Sequence, residues 1–316
     1  MKRFLRSILI FSLIMLAMAF ALDVLISHYL QQSKTYAAGE YATWNDVYEG
    51  NVNSEIVISG SSRAVVQIDP AIIQNQLGKT CYNLGVDGNN IWLEYFRHQQ
   101  FLEHNVKPSL IIHSLDIFML SDSTEIFNSE QFLPYMLFDT EIEKLYQGND
   151  RFSFLDFHIP LIRYYGNQIA MLHALKLMMK PQQKSAGRVS GYEGQHLQWN
   201  NDLHNAKLKM KSFEAQVDSS SLRLFEKYLQ ECKAQNIEII FIYTPEYIEG
   251  QHFVKNRKAI LDLYFDLSKK YNILFLDYSN DSISFNKSYF YNSGHLNKQG
   301  SELFTKKLIS DLKIQK

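Results

Sequence analysis

Cysteine is nearly missing from this chain. Cys81 and Cys232 are the only two in 316 residues, they stand far apart, and neither belongs to a CxxC pair. That excludes a disulfide framework and a thiolate zinc site, and leaves at most one bridge between them. Net charge is missing too: 32 Lys and Arg against 33 Asp and Glu leave −1. No basic field is present to draw in nucleic acid. The ten histidines form no HExxH or HxH pair, so no metal site is expected. No Gly-Lys-Ser/Thr follows the small-residue loop at 59–63, so that loop is no P-loop, and no cofactor is implied. Internal repeats and low-complexity tracts are absent as well. What remains is a composition of 46% hydrophobic and 21% charged residues, ordinary for a folded chain that can bury a sizeable core. Aromatic residues are plentiful at 14%, with 19 Tyr and 21 Phe, enough for a core and for a groove that meets a sugar or a lipid.

The N-terminus sets location. Lys2, Arg3 and Arg6 precede an apolar run from Ser7 to Leu22, which Asp23 interrupts and Val24-Leu25-Ile26 resumes. A helix crossing the hydrocarbon needs about 20 residues, and Phe4 to Ile26 supplies them with Asp23 near the far interface. The basic flank then stays in the cytoplasm and the bulk of the chain lies outside. The competing reading is a cleaved signal peptide, since Ala17-Met18-Ala19 and Ala19-Phe20-Ala21 are small-x-small sites. The apolar stretch continues past both, which favours an uncleaved anchor over residues 1–30. The expectation is a single-pass protein of a bacterial cytoplasmic membrane with its C-terminal domain extracytoplasmic, or a secreted or periplasmic one if cleaved.

Residues 31–53 read as a polar juxtamembrane connector. Beyond it, short β-branched and aromatic runs at 55–59, 80–84, 109–113, 237–243 and 273–277 have the near-continuous apolar character of strands buried on both faces. Helical patterns fall between them, at 70–77 behind an Asp69-Pro70 start, then 91–103, 219–234, 255–270 and 298–312. Alternation of this kind predicts an α/β domain over 54–316, a three-layer α/β/α sandwich on a parallel five-stranded sheet. The stretch 118–218 breaks the rhythm and reads as a helical and loop insertion, with helices at 131–145 and 160–179 and a mobile, glycine-bearing loop over 181–201.

Two loops carry candidate chemistry. The first strand ends in Ser59-Gly60-Ser61-Ser62-Arg63, a small-residue loop at a sheet's C-terminal edge, where side chains are displayed and backbone N–H groups can face an anion. Serine is a weak nucleophile until a base takes its proton. The loop is not a Gly-x-Ser-x-Gly elbow, because Ala64 holds the final position; alone it is more often a structural turn. His295 lies in Asn292-Ser293-Gly294-His295, after the fifth strand and before the last helix. Loops leaving one edge of a parallel sheet can meet, so Ser62 and His295 are paired as nucleophile and base, with Asn292 accepting a hydrogen bond from the imidazole. Alone, the His295 segment would be a surface loop with Asn297 capping a helix. Arg63, His113 and Ser114 are possible substrate contacts; for Arg63 the plainer alternative is a structural ion pair, and for His113 a satisfied half-buried side chain.

Taken together these segments resemble the SGNH/GDSL hydrolase family across about 54–312. Gly60-Ser61-Ser62 is similar to its first block, Asn83-Leu84-Gly85-Val86-Asp87-Gly88 to its second, and Asn292-Ser293-Gly294-His295, extended by Leu296-Asn297 and Gly300, to its last. The resemblance implies a flavodoxin-like sheet and ester hydrolysis or acyl transfer. It puts Ser62 in the nucleophile's place, with the N–H groups of Ser62 and Gly88 as the oxyanion hole and Gly85 as runner-up to Gly88. Two positions depart from the pattern. Asn292 replaces the last-block Asp, and in a serine triad that exchange costs about 10⁴-fold in turnover through the wrong tautomer; Asp277 or Asp281 could stand in. Leu115 falls where the third-block Asn belongs, and one missing oxyanion donor costs about 10²–10³-fold. The expected partners are an acyl ester, with an envelope polysaccharide as its carrier, and the membrane through the N-terminal helix. The alternative is a catalytically degenerate envelope binding or assembly protein of the same fold.

Overall fold

The computed structural model describes residues 1–88, 91–121, 126–180 and 187–314. In chain order its elements are α1 (Lys2–Gln31), α2 (Glu40–Tyr48), β1 (Ile56–Gly60), α3 (Ser62–Gln67), α4 (Pro70–Leu77), β2 (Cys81–Asn83), α5 (Ile91–His104) and β3 (Leu110–Ser114). There follow α6 (Thr140–Leu145), α7 (Phe154–His158), α8 (Ile162–Tyr165), α9 (Gln168–Met179), α10 (Asp202–Lys209), α11 (Ser219–Ala234) and β4 (Glu238–Tyr243). The chain ends with α12 (Ile248–Phe253), α13 (Arg257–Tyr271), β5 (Leu274–Asp277) and α14 (Lys298–Ile314). Two compact units emerge. One joins Met1–Asn45 to Thr124–Gly187, and the other joins Asp46–Ser123 to Arg188–Lys316.

The larger unit is built on a five-stranded, all-parallel sheet in the order β2-β1-β3-β4-β5. Strands buried on both faces need apolar residues on both, and each face has its own core. Val57, Ile111, Ile239 and Phe241 point to one side, where Phe101 of α5, Phe225 of α11 and Tyr264 of α13 cover them. Ile56, Ile58, Ile112 and Ile240 point to the other, under α4 and α14 through Ile73, Phe304 and Leu308. The result is the three-layer α/β/α sandwich that the alternation predicts. The strand order reverses between β1 and β3, so the loops after these two strands diverge at the sheet's C-terminal edge, where sites of parallel sheets form.

Local signals act where they were read. Asp69 caps α4, its carboxylate accepting from Ala71 N at 2.8 Å. The cysteines are both free, Cys81 in one core layer and Cys232 in the other, on opposite faces of the sheet, so they do not pair.

Differences arise where tertiary contacts override pattern. Residues 40–48 are not a polar connector but a helix with Tyr41, Trp44 and Val47 fully buried. The single helix expected over 131–145 is broken: a 3₁₀ turn covers Ser129–Phe132, Phe138 adopts φ +62°, and α6 begins only at Thr140. The helix expected over 160–179 is divided at Gly166 and Asn167 into α8 and α9. In the loop expected to be mobile, 181–186 lie outside the described residues, and 188–201 are tied down as described below.

In the smaller unit, Asp23 of α1 is buried and meets Arg163 of α8 with both carboxylate oxygens, at 2.7 and 2.8 Å. Leu161 N adds a third bond at 2.7 Å. A carboxylate in an apolar helix costs too much to leave unpaired, and here every bond it lacks is supplied by one short segment.

Candidate active site

Gly60 ends β1 at φ +135°, a conformation that side chains resist, and a Cβ there would stand 2.5 Å from Ser114 O. The glycine lets β1 and β3 stay paired up to the point where the chain turns. Ser61 is then fully buried, its hydroxyl donating to Asp116 Oδ2 at 3.0 Å, and Ser62 opens α3 half-buried at the sheet edge. Of the two adjacent serines only Ser62 is left accessible.

His295 comes to it from the far end of the chain. Ser62 Oγ and His295 Nε2 are 2.8 Å apart, and His295 Nδ1 is 2.9 Å from Asn292 Oδ1. The amide's orientation is fixed chemically, because Gly294 N–H donates to the same Asn292 oxygen at 3.0 Å. An amide NH₂ could not accept that bond. Asn292 therefore presents an acceptor to the imidazole, so Nδ1 carries the proton and Nε2 is the free base facing Ser62. The tautomer problem that an Asp-to-Asn exchange creates elsewhere does not arise in this arrangement. Gln67 Nε2 holds Gly294 O at 2.8 Å and so ties the histidine loop to α3, while the Tyr291 ring stacks on the imidazole with centroids 5.4 Å apart.

Burial first, and the nearby Arg63 charge second, push the His295 pKa down to about 4, against a smaller upward pull from Glu246 and Asp202. The imidazole is thus neutral at ordinary pH. Asp277 and Asp281 do not reach it: Asp277 bonds Ser279, and Asp281 caps the turn at Ile283 and faces Lys307.

The remaining sequence candidates fall in different places. Gly88 lies against the Ser62 loop, but its carbonyl accepts the Ser62 N–H at 3.3 Å, so that amide is engaged. The Gly85 N–H is engaged too, donating to Asn83 Oδ1 at 2.9 Å. Arg63 is not placed as a substrate contact. It is 2% exposed, pairs with Glu246 at 3.3 Å, donates to Thr244 O and lies 4.5 Å from the Tyr243 ring centroid. Burial alone would lower its pKa, but Glu246, Tyr243 and Asp116 raise it above the usual value. His113 is also enclosed, between Phe225, Tyr228 and Phe241 with Glu94 at 3.6 Å, and burial pushes its pKa down to about 3. Ser114 is fully buried with its hydroxyl unpaired. Leu115 is fully buried in the core layer of α5, α11 and α13.

Several residues of this region were not singled out by sequence. Asp116 takes the Ser61 bond, and burial raises its carboxyl pKa. Glu246 binds Arg63, Arg257 and the Tyr243 hydroxyl together. Both acids follow the C-terminal ends of strands, and that position is the signal that could have found them. The segment 188–201 crosses the same edge as a strap. Its Val189–Tyr192 turn has positive φ at Ser190 and Gly191, and a Cβ on Gly191 would meet Asn83 O at 1.7 Å. Asn83 N donates to Ser190 O, Glu193 N to Val65 O, Asn200 N to Tyr291 O, and Lys298 N to Gln195 O, at 2.7–3.1 Å. The strap thereby connects β2, α3 and the histidine loop.

No family model matches this sequence, and no curated protein matches it. Among solved structures it is similar to an acetyl xylan esterase, AlAXEase, at 12% identity and a TM-score of 0.40, covering 81% of this chain and 98% of that one. A proposed acylhydrolase from Bacteroides fragilis is similar at 12% identity and a TM-score of 0.36, covering 87% and 95%. Likeness at that level does not bear on the chemistry of the site.

Proposed function

We propose that this chain is a serine esterase or O-acyltransferase in which Ser62 attacks an ester carbonyl and His295 serves as general base and then acid. The observation that carries the reading is the ordered relay Ser62 Oγ–His295 Nε2 and His295 Nδ1–Asn292 Oδ1, at 2.8 and 2.9 Å, with the amide oxygen pinned by Gly294. As Oγ attacks, its proton passes to Nε2 and the imidazolium is held by Asn292. The tetrahedral intermediate collapses when Nε2 returns the proton to the departing alkoxide. The acyl group left on Ser62 is then taken by water or by an acceptor hydroxyl, deprotonated in turn by His295. The Gly88 N–H is the preferred oxyanion donor, since that of Gly85 is committed to Asn83. The Ser62 N–H joins it when the ester oxygen displaces the long bond to Gly88 O.

On this reading α1, with its mean hydropathy of 2.6 over 18 residues, is a single-pass anchor. The basic flank leaves the larger unit extracytoplasmic, where envelope glycan esters are the substrate class at hand. A fluorophosphonate probe tests the site directly. Labelling that is abolished by Ser62→Ala and strongly reduced by His295→Ala, in protein with unchanged melting, is the expected result; labelling that persists in Ser62→Ala removes Ser62 from the role.

The engaged Ser62 amide favours a second reading, a binding or assembly protein that keeps the fold without turnover. An unlabelled, correctly folded wild-type protein that hydrolyses no small acetyl ester is the outcome that selects it.

A further inference from the structure

Helix α9 of the smaller unit is built inside out. A helix packed on a water-soluble body hides large apolar residues and shows polar ones. Here Ala170, Ala174 and Leu177 are buried, whereas Ile169 is 74% exposed, Leu172 56% and Met179 74%. Leu175 is exposed as well, and so are Ile162 and Tyr165 of the adjoining α8. Small residues toward the neighbouring helix and large apolar residues outward is the arrangement of helices whose surroundings are lipid. A face of this size on a soluble surface marks an interaction site.

Its position along α1 indicates what covers it. Residues 4–22 of α1 are almost wholly exposed and apolar, and burial begins at Asp23, Ile26, Ser27 and Leu30. Nineteen residues rise about 28 Å, close to a hydrocarbon thickness of about 30 Å. From that level the contacts step onward together: Arg163 with Asp23, Tyr164 with Ser27 at 2.8 Å, and His173 with Ser33 at 2.7 Å. The exposed apolar face therefore starts where the bare span of α1 ends.

We propose that α8 and the start of α9 form a membrane-seated collar, their outward face immersed in the interfacial layer of the bilayer that α1 crosses. The inference rests on reading α1 as a membrane span. The paired Asp23–Arg163 side chains fit the setting, since a joined pair can stand at the hydrocarbon edge where a single charge would not.

The test uses the full chain in nanodiscs of phosphatidylcholine and phosphatidylglycerol. Single cysteines replace Ile14, Ile169, Leu172 or Leu208, carry an environment-sensitive dye, and are read against lipids brominated on the acyl chain. Cys81 and Cys232 are buried and stay unlabelled in folded protein, which also checks that each variant is folded. Dyes at 169 and 172 are expected to be quenched about twofold or more. The dye at 14 should be quenched more strongly, and the one at 208, exposed on the larger unit, should not respond. Quenching at 14 without quenching at 169 and 172 overturns the collar. Blue-shifted but unquenched emission at 169 and 172 also overturns it, because protein, such as a second copy, then covers the face. Quenching at 169 and 172 without quenching at 14 removes the span and overturns the collar as a seat in the bilayer that α1 crosses, and no quenching at any of the three removes both.

Discussion

Replacing Asn292 by Asp puts a carboxylate where this site has a neutral amide, and nothing around it needs to move. The new oxygen inherits two donors, His295 Nδ1–H at 2.9 Å and Gly294 N–H at 3.0 Å. The wild-type imidazole is held down at about 4 by burial and by Arg63, with no negative partner in contact. A carboxylate in direct contact favours the imidazolium and raises a pKa by about 1–3. Since one pKa unit corresponds to about 1.4 kcal/mol, the imidazolium gains about 1.4–4 kcal/mol. The direction is unambiguous. Turnover needs the neutral imidazole, so activity is present above the His295 pKa and lost as pH falls through it. The acid limb of kcat/KM for a small acetyl ester should lie at about 4 in the wild type and move up to about 5–7 in Asn292→Asp. At pH 8 both forms are neutral, and the variant should turn over faster, by up to about tenfold for each unit gained, because the same carboxylate stabilises the imidazolium formed in the transition state. NMR titration of the His295 ring reads the same two pKa values without relying on turnover. A wild-type limb near 6.5, or a variant limb still at about 4, would refute the account of how His295 is held.

Other changes separate structure from chemistry. Gly60→Ala forces a Cβ to 2.5 Å from Ser114 O at φ +135° and should cost about 3 kcal/mol or more in a denaturant melt, with loss of probe labelling at Ser62. Leu115→Asn, which would restore the resembled family's residue, instead buries an amide in the core; melting should fall by about 2–4 kcal/mol with no gain in rate. Glu246→Gln strips the shared counter-charge from Arg63 and Arg257 and should cost about 3–5 kcal/mol. Gln67→Ala frees the histidine loop from α3 and should lower kcat more than it raises KM, with the melt displaced by only about 1 kcal/mol.

The sheet was legible because its strands are buried on both faces. Continuous runs such as Ile237 to Tyr243 and the Asp69-Pro70 start carry their signal locally, and the structure places them within a residue or two of the reading. Parallel order then explains why Ser62 and His295, 233 residues apart in sequence, stand at one edge. What was not legible depends on partners distant in sequence. Trp44 is buried because Gln131 accepts its indole N–H, and no local pattern in 31–53 announces that. Arg63 reads equally as a substrate contact or as half of an ion pair, and the partner that decides it, Glu246, stands 183 residues later. Leu115 could be placed by register but not by facing, since a residue just past a strand end follows neither alternation reliably. The orientation of Asn292 was out of reach for another reason: it is decided by one backbone N–H two residues on.

The strap over 188–201 has a dynamic consequence. Its four backbone bonds end on β2, on α3, on the histidine loop and at the start of α14, so no single anchor can let go and free the segment. At about 0.5–1.5 kcal/mol net for each bond, complete release costs about 2–6 kcal/mol. That lies between the fraying of a surface loop and global unfolding. The amides of Asn83, Glu193, Asn200 and Lys298 thus belong to one opening unit, and their hydrogens should exchange with solvent at a common rate although they span more than 200 positions of the chain.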